Sequence, residues 1–296
     1  MSTDSRPTGT AGSRLRPLGP SRVTILDGFL AERQRVNRER TIPHGFDQLG
    51  RSGTLDNLRL AAGGDGRYQA RADTSGATFP FLDSDVYKWL EAVGWELGRA
   101  PDPGLAAAAD QAIALVAAAQ RPDGYLNSYV QVVGGGVPHG DLAWGHEFYC
   151  VGHLIQAAVA WHRALDDDRL LAIAVRAADR IDKEFGPTGR DGVDGHPGIE
   201  MALVELTRVT GDRRYLGLAA RMLDLRGRGC WAMGASARPT GRTTNRSGRP
   251  RPWPATPSAS STWTAAPSTW PSSSTTTPCS PPCGGAGGTW SGPGRI

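Results

Sequence analysis

From Cys230 to Ile296 the chain contains no Asp, Glu, Lys, Leu, Val, Phe or Tyr. That break limits what can fold, because a segment without branched aliphatic and most aromatic residues has little apolar surface to bury against the entropy of ordering it. Any core must come from the residues before it. All 29 acidic residues lie upstream, whereas six of the 33 basic residues are Arg in the tail, so 27 basic residues face 29 acidic ones and the foldable part carries about −2. The pI of 9.1 is therefore a property of the tail and gives no reason to expect nucleic acid or an anionic membrane as partner.

The tail reads as a shifted frame. Five of the nine Trp follow Cys230, beside the run Ser272-Ser273-Ser274-Thr275-Thr276-Thr277. Flexible linkers are rich in Gly, Ser, Pro and charge and seldom carry Trp at that density. DNA able to encode Trp253-Pro254-Ala255-Thr256-Pro257-Ser258-Ala259 can read AGHAVR in another frame, with YLD beyond it. The same frame permits LLGHGRFG, AYWQDH and PV between Gly229 and Ser247. A frameshift near Arg228 is the expectation; a genuine Ser/Thr/Pro-rich tail is the alternative. Three segments follow: a disordered leader over 1–20, a folded unit over 21–229, and a low-complexity, disordered tail over 230–296.

Met1 to Pro20 lacks the apolar centre of a signal peptide, and no apolar run reaches the ~18 residues of a membrane span. Cys150 is the only cysteine before the tail, which excludes a disulfide framework there. A soluble cytoplasmic protein is the expectation.

Val23 to Leu60 mixes short apolar pieces with Asn, Arg and Gly, and suggests short strands or extended segments. Helical spacing then dominates. Asp83-Ser84-Asp85 looks like a capping cluster ahead of Val86, Trp89, Leu90, Val93 and Leu97. Asp102-Pro103 opens a second helix, and Pro122-Asp123-Gly124 makes a turn. Further helices are expected over Leu142 to Ala164, Arg169 to Phe185, His196 to Gly211 and Tyr215 to Leu225. Successive helical hairpins without intervening strands suit a toroid of inner and outer helices, with a plain bundle or a solenoid as alternatives.

The densest chemistry is Trp144-Gly145-His146-Glu147-Phe148-Tyr149-Cys150-Val151-Gly152-His153. His146, Cys150 and His153 share a helical face and could hold a metal, but position 150 is not His, and a buried Cys behaves as a small apolar residue, so packing is the better reading. His146 and Glu147 at a helix start suit carbohydrate binding or a structural cap. Gly195-His196-Pro197-Gly198 repeats the theme, and two such His at equivalent ends of successive helices can converge on one rim. The loop Tyr125-Leu126-Asn127-Ser128-Tyr129 offers rings and amides to a sugar, or is a packed turn. No pair of carboxylates suited to glycoside hydrolysis stands out. Cys279 and Cys283 imitate a ligand pair inside the suspect tail and are discounted.

Four ordered motifs, Phe81 to Ala92, Ala119 to Tyr129, His146 to Ile155 and Gly195 to Leu206, together resemble glycoside hydrolase family 127, the β-L-arabinofuranosidase-like proteins. The resemblance covers about Val23 to Arg228 and implies a mainly α fold, here a partial (α/α)6 barrel that is truncated before its β-sandwich regions. It implies retaining hydrolysis of terminal L-arabinofuranosides by a cysteine nucleophile. Zinc held by Glu and Cys lowers that thiol's pKa, and a Glu acts as general acid/base. By motif, His146 and His196 match histidines lining the sugar subsite; a third belongs to GHAVR, which this frame does not encode.

The family's acid/base Glu, zinc ligands and nucleophile all lie downstream of that point, and Cys150 is not the nucleophile by position. No residue here is assigned a catalytic role, and no zinc is expected to bind. The expectation is an enzyme by descent, present as an inactive fragment. A non-catalytic sugar-binding protein with a real tail, or another helical-toroid enzyme such as a lyase or epimerase, are the rival readings.

Overall fold

The structure, a computed structural model, describes residues 22–70, 78–133, 135 and 137–227. The leader and tail expected over 1–20 and 230–296 lie outside those residues, as do Cys279 and Cys283.

Helices carry the fold. They are α1 (Gly28–Val36), α2 (Ile42–Arg51), α3 (Thr54–Ala61), α4 (Asp83–Arg99), α5 (Pro103–Ala119), α6 (Ser128–Val132), α7 (Glu147–Leu165), α8 (Arg169–Phe185), α9 (Ile199–Thr210) and α10 (Arg213–Gly227), with a π-helical turn over Asn37–Thr41 joining α1 to α2. Three hairpins, α4/α5, α7/α8 and α9/α10, repeat one plan. Helices α4, α7 and α9 pack side by side as one row, and α5, α8 and α10 form a second row against it. This is the two-row arrangement of part of an (α/α)6 barrel, as expected.

Each helix follows from its sequence. In α8, Leu170, Ile173, Ala174, Ala177, Ile181 and Phe185 are all buried along one stripe. In α5, Asp102 accepts the Leu105 N–H at 3.0 Å and Pro103 supplies the preset first turn. The α4–α7 contact is the tightest of the first row. Trp161 of α7 donates its indole N–H to the Leu90 carbonyl at 2.8 Å. A Cβ at Gly94 would stand 2.7 Å from Trp161 Cδ1, and one at Gly98 would stand 2.5 Å from Ala164 Cβ. Only glycine permits that approach.

Three expectations need correction. The stretch before Leu60 is largely helical rather than extended: Val23 to Leu26 is irregular, but Leu55 and Leu58 belong to α3. Ile42, Phe46 and Leu49 fall at helical spacing, Ile42 and Leu49 are buried, and Phe46 stacks on Trp89 with ring centroids 4.9 Å apart. The pattern was masked by interleaved polar residues that tertiary contacts absorb. Asn57, for instance, clasps the backbone of Gln69 through bonds of 3.0 and 2.7 Å.

Second, α7 begins at Glu147 rather than near Leu142, and α9 begins at Ile199 rather than at His196, so both candidate histidines precede the helix bodies. Third, Asp83 does not cap its own helix. Its carboxylate is fully buried and receives the backbone N–H of Ser128 at 2.6 Å together with the Ser128 hydroxyl, so it caps α6 from across the fold. Burial raises its pKa, against the lowering effect of Ser128.

Candidate functional site

Three loop ends meet where α7 and α9 begin. His146 is the N-cap of α7 and sits in the left-handed region at φ 52, ψ 26, uncommon for a residue with a Cβ and most tolerated by Asn, Asp and His. His196 lies in the α8–α9 loop, exposed, beside Gly195, whose Cβ position would fall 2.1 Å from the Ala143 carbonyl oxygen. Glycine there lets the two loops touch, and the Gly195 N–H donates to the Leu142 carbonyl at 2.8 Å.

The ring centroids of His146 and His196 stand 5.8 Å apart, so the two predicted residues are brought together. Each ring is oriented by a backbone carbonyl: His146 Nδ1 by that of Trp144, and His196 Nδ1 by that of Pro197 at 2.9 Å. A carbonyl can only accept, so Nδ1 carries a proton in each ring, and the tautomer this selects has Nε2 as its acceptor. Two such acceptors at this spacing suit the hydroxyls of a sugar.

Beneath them lies Tyr149, one turn into α7. Its ring meets His196 at 4.7 Å, His153 at 4.6 Å and His146 at 5.8 Å between centroids. Lys88 of α4 donates to the Tyr149 hydroxyl at 2.7 Å and to Ser84 Oγ at 3.1 Å. Trp144 and Phe81 pack on the other side of His146, with centroids at 5.6 and 4.9 Å. His153 is held at a pKa of about 4, first by burial and then by the charge of Lys88, so it is neutral at physiological pH.

Asp194 organises the whole. It is fully buried, and its carboxylate accepts the Tyr149 N–H at 3.1 Å and the His196 N–H at 2.8 Å. One carboxylate thus caps α7 and fixes the turn that presents His196. Burial raises its pKa, opposed by these N–H donors and by His146. Glu147 is also buried, and burial pushes its carboxyl up to about 7.

Sequence reasoning missed Asp194, Tyr149 and Lys88 as members of this cluster. The spacing Asp194-Gly195-His196 was the available signal, since an Asp two residues before a loop N–H favours an Asx turn. The loop offered as a sugar contact is instead a packed turn: Tyr125 and Asn127 are buried, Tyr125 donating to Glu147 and Asn127 accepting the Val130 N–H at 2.9 Å.

The described residues do not fit a zinc site. Among the described residues no three His, Cys, Asp or Glu side chains converge as a metal set. Cys150 is buried, and desolvation, aided by Asp83 and Asp194, raises its thiol well above the ordinary range, the opposite of a poised thiolate.

The fold is that of a helical glycoside hydrolase. It superposes on a GH127 β-L-arabinofuranosidase from Geobacillus stearothermophilus T6 with a TM-score of 0.64 at 40% identity, covering 69% of this chain and 33% of that one. A second solved GH127 β-arabinofuranosidase gives 0.65 at 35% identity over 72% of this chain and 34% of its own. The profile of the β-L-arabinofuranosidase GH127 catalytic domain matches residues 22–250, and the chain belongs to that family. A non-reducing end β-L-arabinofuranosidase of Bifidobacterium longum subsp. longum is 41% identical over 183 residues, which are 60% of this chain and 27% of that protein. The chain therefore spans about a third or less of the length of these relatives. The family match continues past the compositional break at Cys230, to residue 250.

Proposed function

We propose that this chain is the sugar-recognising portion of a β-L-arabinofuranosidase-like glycoside hydrolase, binding terminal L-arabinofuranosides without hydrolysing them by itself. The observation that carries the reading is the pair His146 and His196, 5.8 Å apart with both Nδ1 atoms turned to backbone carbonyls. Their Nε2 atoms accept hydrogen bonds from sugar hydroxyls, Tyr149 gives the apolar floor, and Asp194 holds both loops in register. The relatives are arabinofuranosidases, which supports an arabinofuranoside as the ligand.

Loss of turnover is supported from the sequence: no Asp or Glu follows Gly229, so the tail supplies no general acid/base. Among the described residues the buried acids Asp83, Glu96, Glu147, Asp194 and Glu200 are all committed, Asp83, Glu147, Asp194 and Glu200 to backbone N–H donors and Glu96 and Glu200 to Arg38 and Arg226. We attribute the tail to a frameshift near Arg228, which sequencing the DNA across the codons for Arg226 to Trp253 checks directly.

The decisive experiment titrates the full chain with methyl β-L-arabinofuranoside and assays an aryl β-L-arabinofuranoside with added zinc. Saturable binding that weakens in His146→Ala and His196→Ala, without turnover, supports the reading. Zinc-dependent hydrolysis overturns the inactive-fragment part, and binding unaffected by either substitution overturns the site.

A further inference from the structure

One buried acid beside the site has no part in contacting sugar. Glu147 opens α7 at 2% exposure, and its Oε2 accepts the His139 backbone N–H at 2.9 Å as well as the Tyr125 hydroxyl. The side chain reaches back along the sequence, so that a single carboxylate oxygen closes the segment from His139 to Glu147 into a ring. Trp144 and His146 stand on that ring. It begins with one left-handed residue, His139 at φ 55, and has another, His146 at φ 52, just before it closes. Such conformations persist in residues with a Cβ only where the surroundings impose them. The closing residue is anchored to α8 and the loop after it as well, His139 Nδ1 lying 2.9 Å from Glu184 Oε2 and the His139 carbonyl accepting from Arg190 at 3.0 Å.

We infer that Glu147 is the positioning residue of the site: its clasp on His139 and Tyr125 holds the 139–146 loop closed and thereby fixes the His146 ring beside His196. The inference rests on reading those histidines as sugar contacts.

The clasp carries a defined pH response. Facing the carboxyl are Tyr125 from the α5–α6 loop, His139 on the ring itself, Asp194 from the α8–α9 loop and, on α8, Glu184 with its partner Arg180, which lines the same small cavity as Glu147. Burial is the largest influence; Tyr125 and the His139 N–H favour the charged form, Asp194 and Glu184 oppose it, and the balance lies at about 7. Opening the loop would hydrate the carboxyl and return it towards its ordinary 4.5. The closed loop therefore binds the proton more tightly than the open one. By linkage, closure is strongest in acid, weakens as pH rises from 4.5 to 7, and is constant above that. A cavity of about 10 Å³, lined by Tyr125, His139 and Glu147 among others, adjoins the carboxyl and is about the size of one water molecule.

The test measures amide hydrogen exchange of His139 and Trp144 in the full chain between pH 5 and 8, corrected for intrinsic exchange, in wild type, Glu147→Gln and Tyr125→Phe. Glutamine keeps the shape and an accepting oxygen but cannot ionise. In the wild type the opening constant rises with pH, by up to about tenfold per unit below pH 7, and levels off above it. In Glu147→Gln that rise is lost, and in Tyr125→Phe the opening constant is larger, by about five- to tenfold above pH 7, where the ionised carboxylate has lost its hydroxyl donor, and by less in acid. The same pH response in Glu147→Gln as in wild type overturns the clasp.

Affinity for methyl β-L-arabinofuranoside is measured alongside, and falls with pH more steeply in wild type than in Glu147→Gln. Equal slopes overturn the claim that the clasp positions His146. A clasp that titrates as described in a chain that binds no arabinofuranoside at any pH upholds the latch and overturns the sugar reading.

Discussion

Asp194 reaches from the α8–α9 loop to the backbone N–H of Tyr149 at 3.1 Å, so an acid far along the chain caps the helix that presents His146. The same carboxylate holds the His196 N–H at 2.8 Å. Replacement by Ala strands both donors, one of them at the start of α7. Asp194→Ala is expected to cost about 2–3 kcal/mol, and Asp194→Asn, which keeps one acceptor oxygen, about half of that. Urea denaturation followed by far-UV circular dichroism measures both. Near-neutral behaviour of the Ala variant would show that water replaces the cap, and the loops would then not depend on it.

His146 permits a test of backbone strain separate from sugar binding. Its φ of 52 suits glycine and opposes alanine. His146→Gly is expected to be more stable than His146→Ala by about 1 kcal/mol, while both lose arabinofuranoside affinity. Thermal denaturation of the two variants side by side gives the difference. Equal stabilities would mean the loop relaxes when the ring is removed.

The close approach of α4 and α7 predicts opposite signs for one substitution at two places. Gly94→Ala drives a methyl to 2.7 Å from the Trp161 ring, which is 3% exposed. Overpacking outweighs the gain in helix propensity, for a net loss of about 1–2 kcal/mol. Gly217→Ala on α10 meets nothing within 4 Å and gains up to about 1 kcal/mol. Chemical denaturation of the pair decides the matter, and destabilisation by Gly217→Ala would contradict the packing described for α10.

Global stability carries the Glu147 signature as well. Its carboxyl is raised from 4.5 to about 7 in the folded state, so between those values the native protein keeps a proton that the unfolded chain has released. Stability from this group is greatest below pH 4.5 and declines as pH rises to 7, by about 3 kcal/mol at most. Asp83 and Asp194, also raised, act in the same sense. Unfolding free energies of Glu147→Gln measured across that range should show a shallower fall than wild type. An unchanged slope would mean that Glu147 titrates near its ordinary value.

Much of the fold was legible because apolar residues of α4, α5, α7, α8, α9 and α10 recur at helical spacing and end at Gly, Asp or Pro. That signal is local and survives without knowledge of what each stripe packs against. The helices before Leu60 were not legible, since polar residues such as Asn57 interrupt the stripe and are satisfied only by a distant backbone, that of Gln69.

The sequence by itself determined the family and the hairpin repeat, and it singled out His146 and His196 as candidates, because all of these reside in short contiguous motifs. Only the tertiary structure decided that Asp83 caps α6, that Asp194 caps α7, and that Glu147 closes a ring through His139. Each of these is a carboxylate paired with a donor in a different segment of the chain. A one-dimensional pattern records which residues can accept a hydrogen bond; burial and chain path determine which donor they meet.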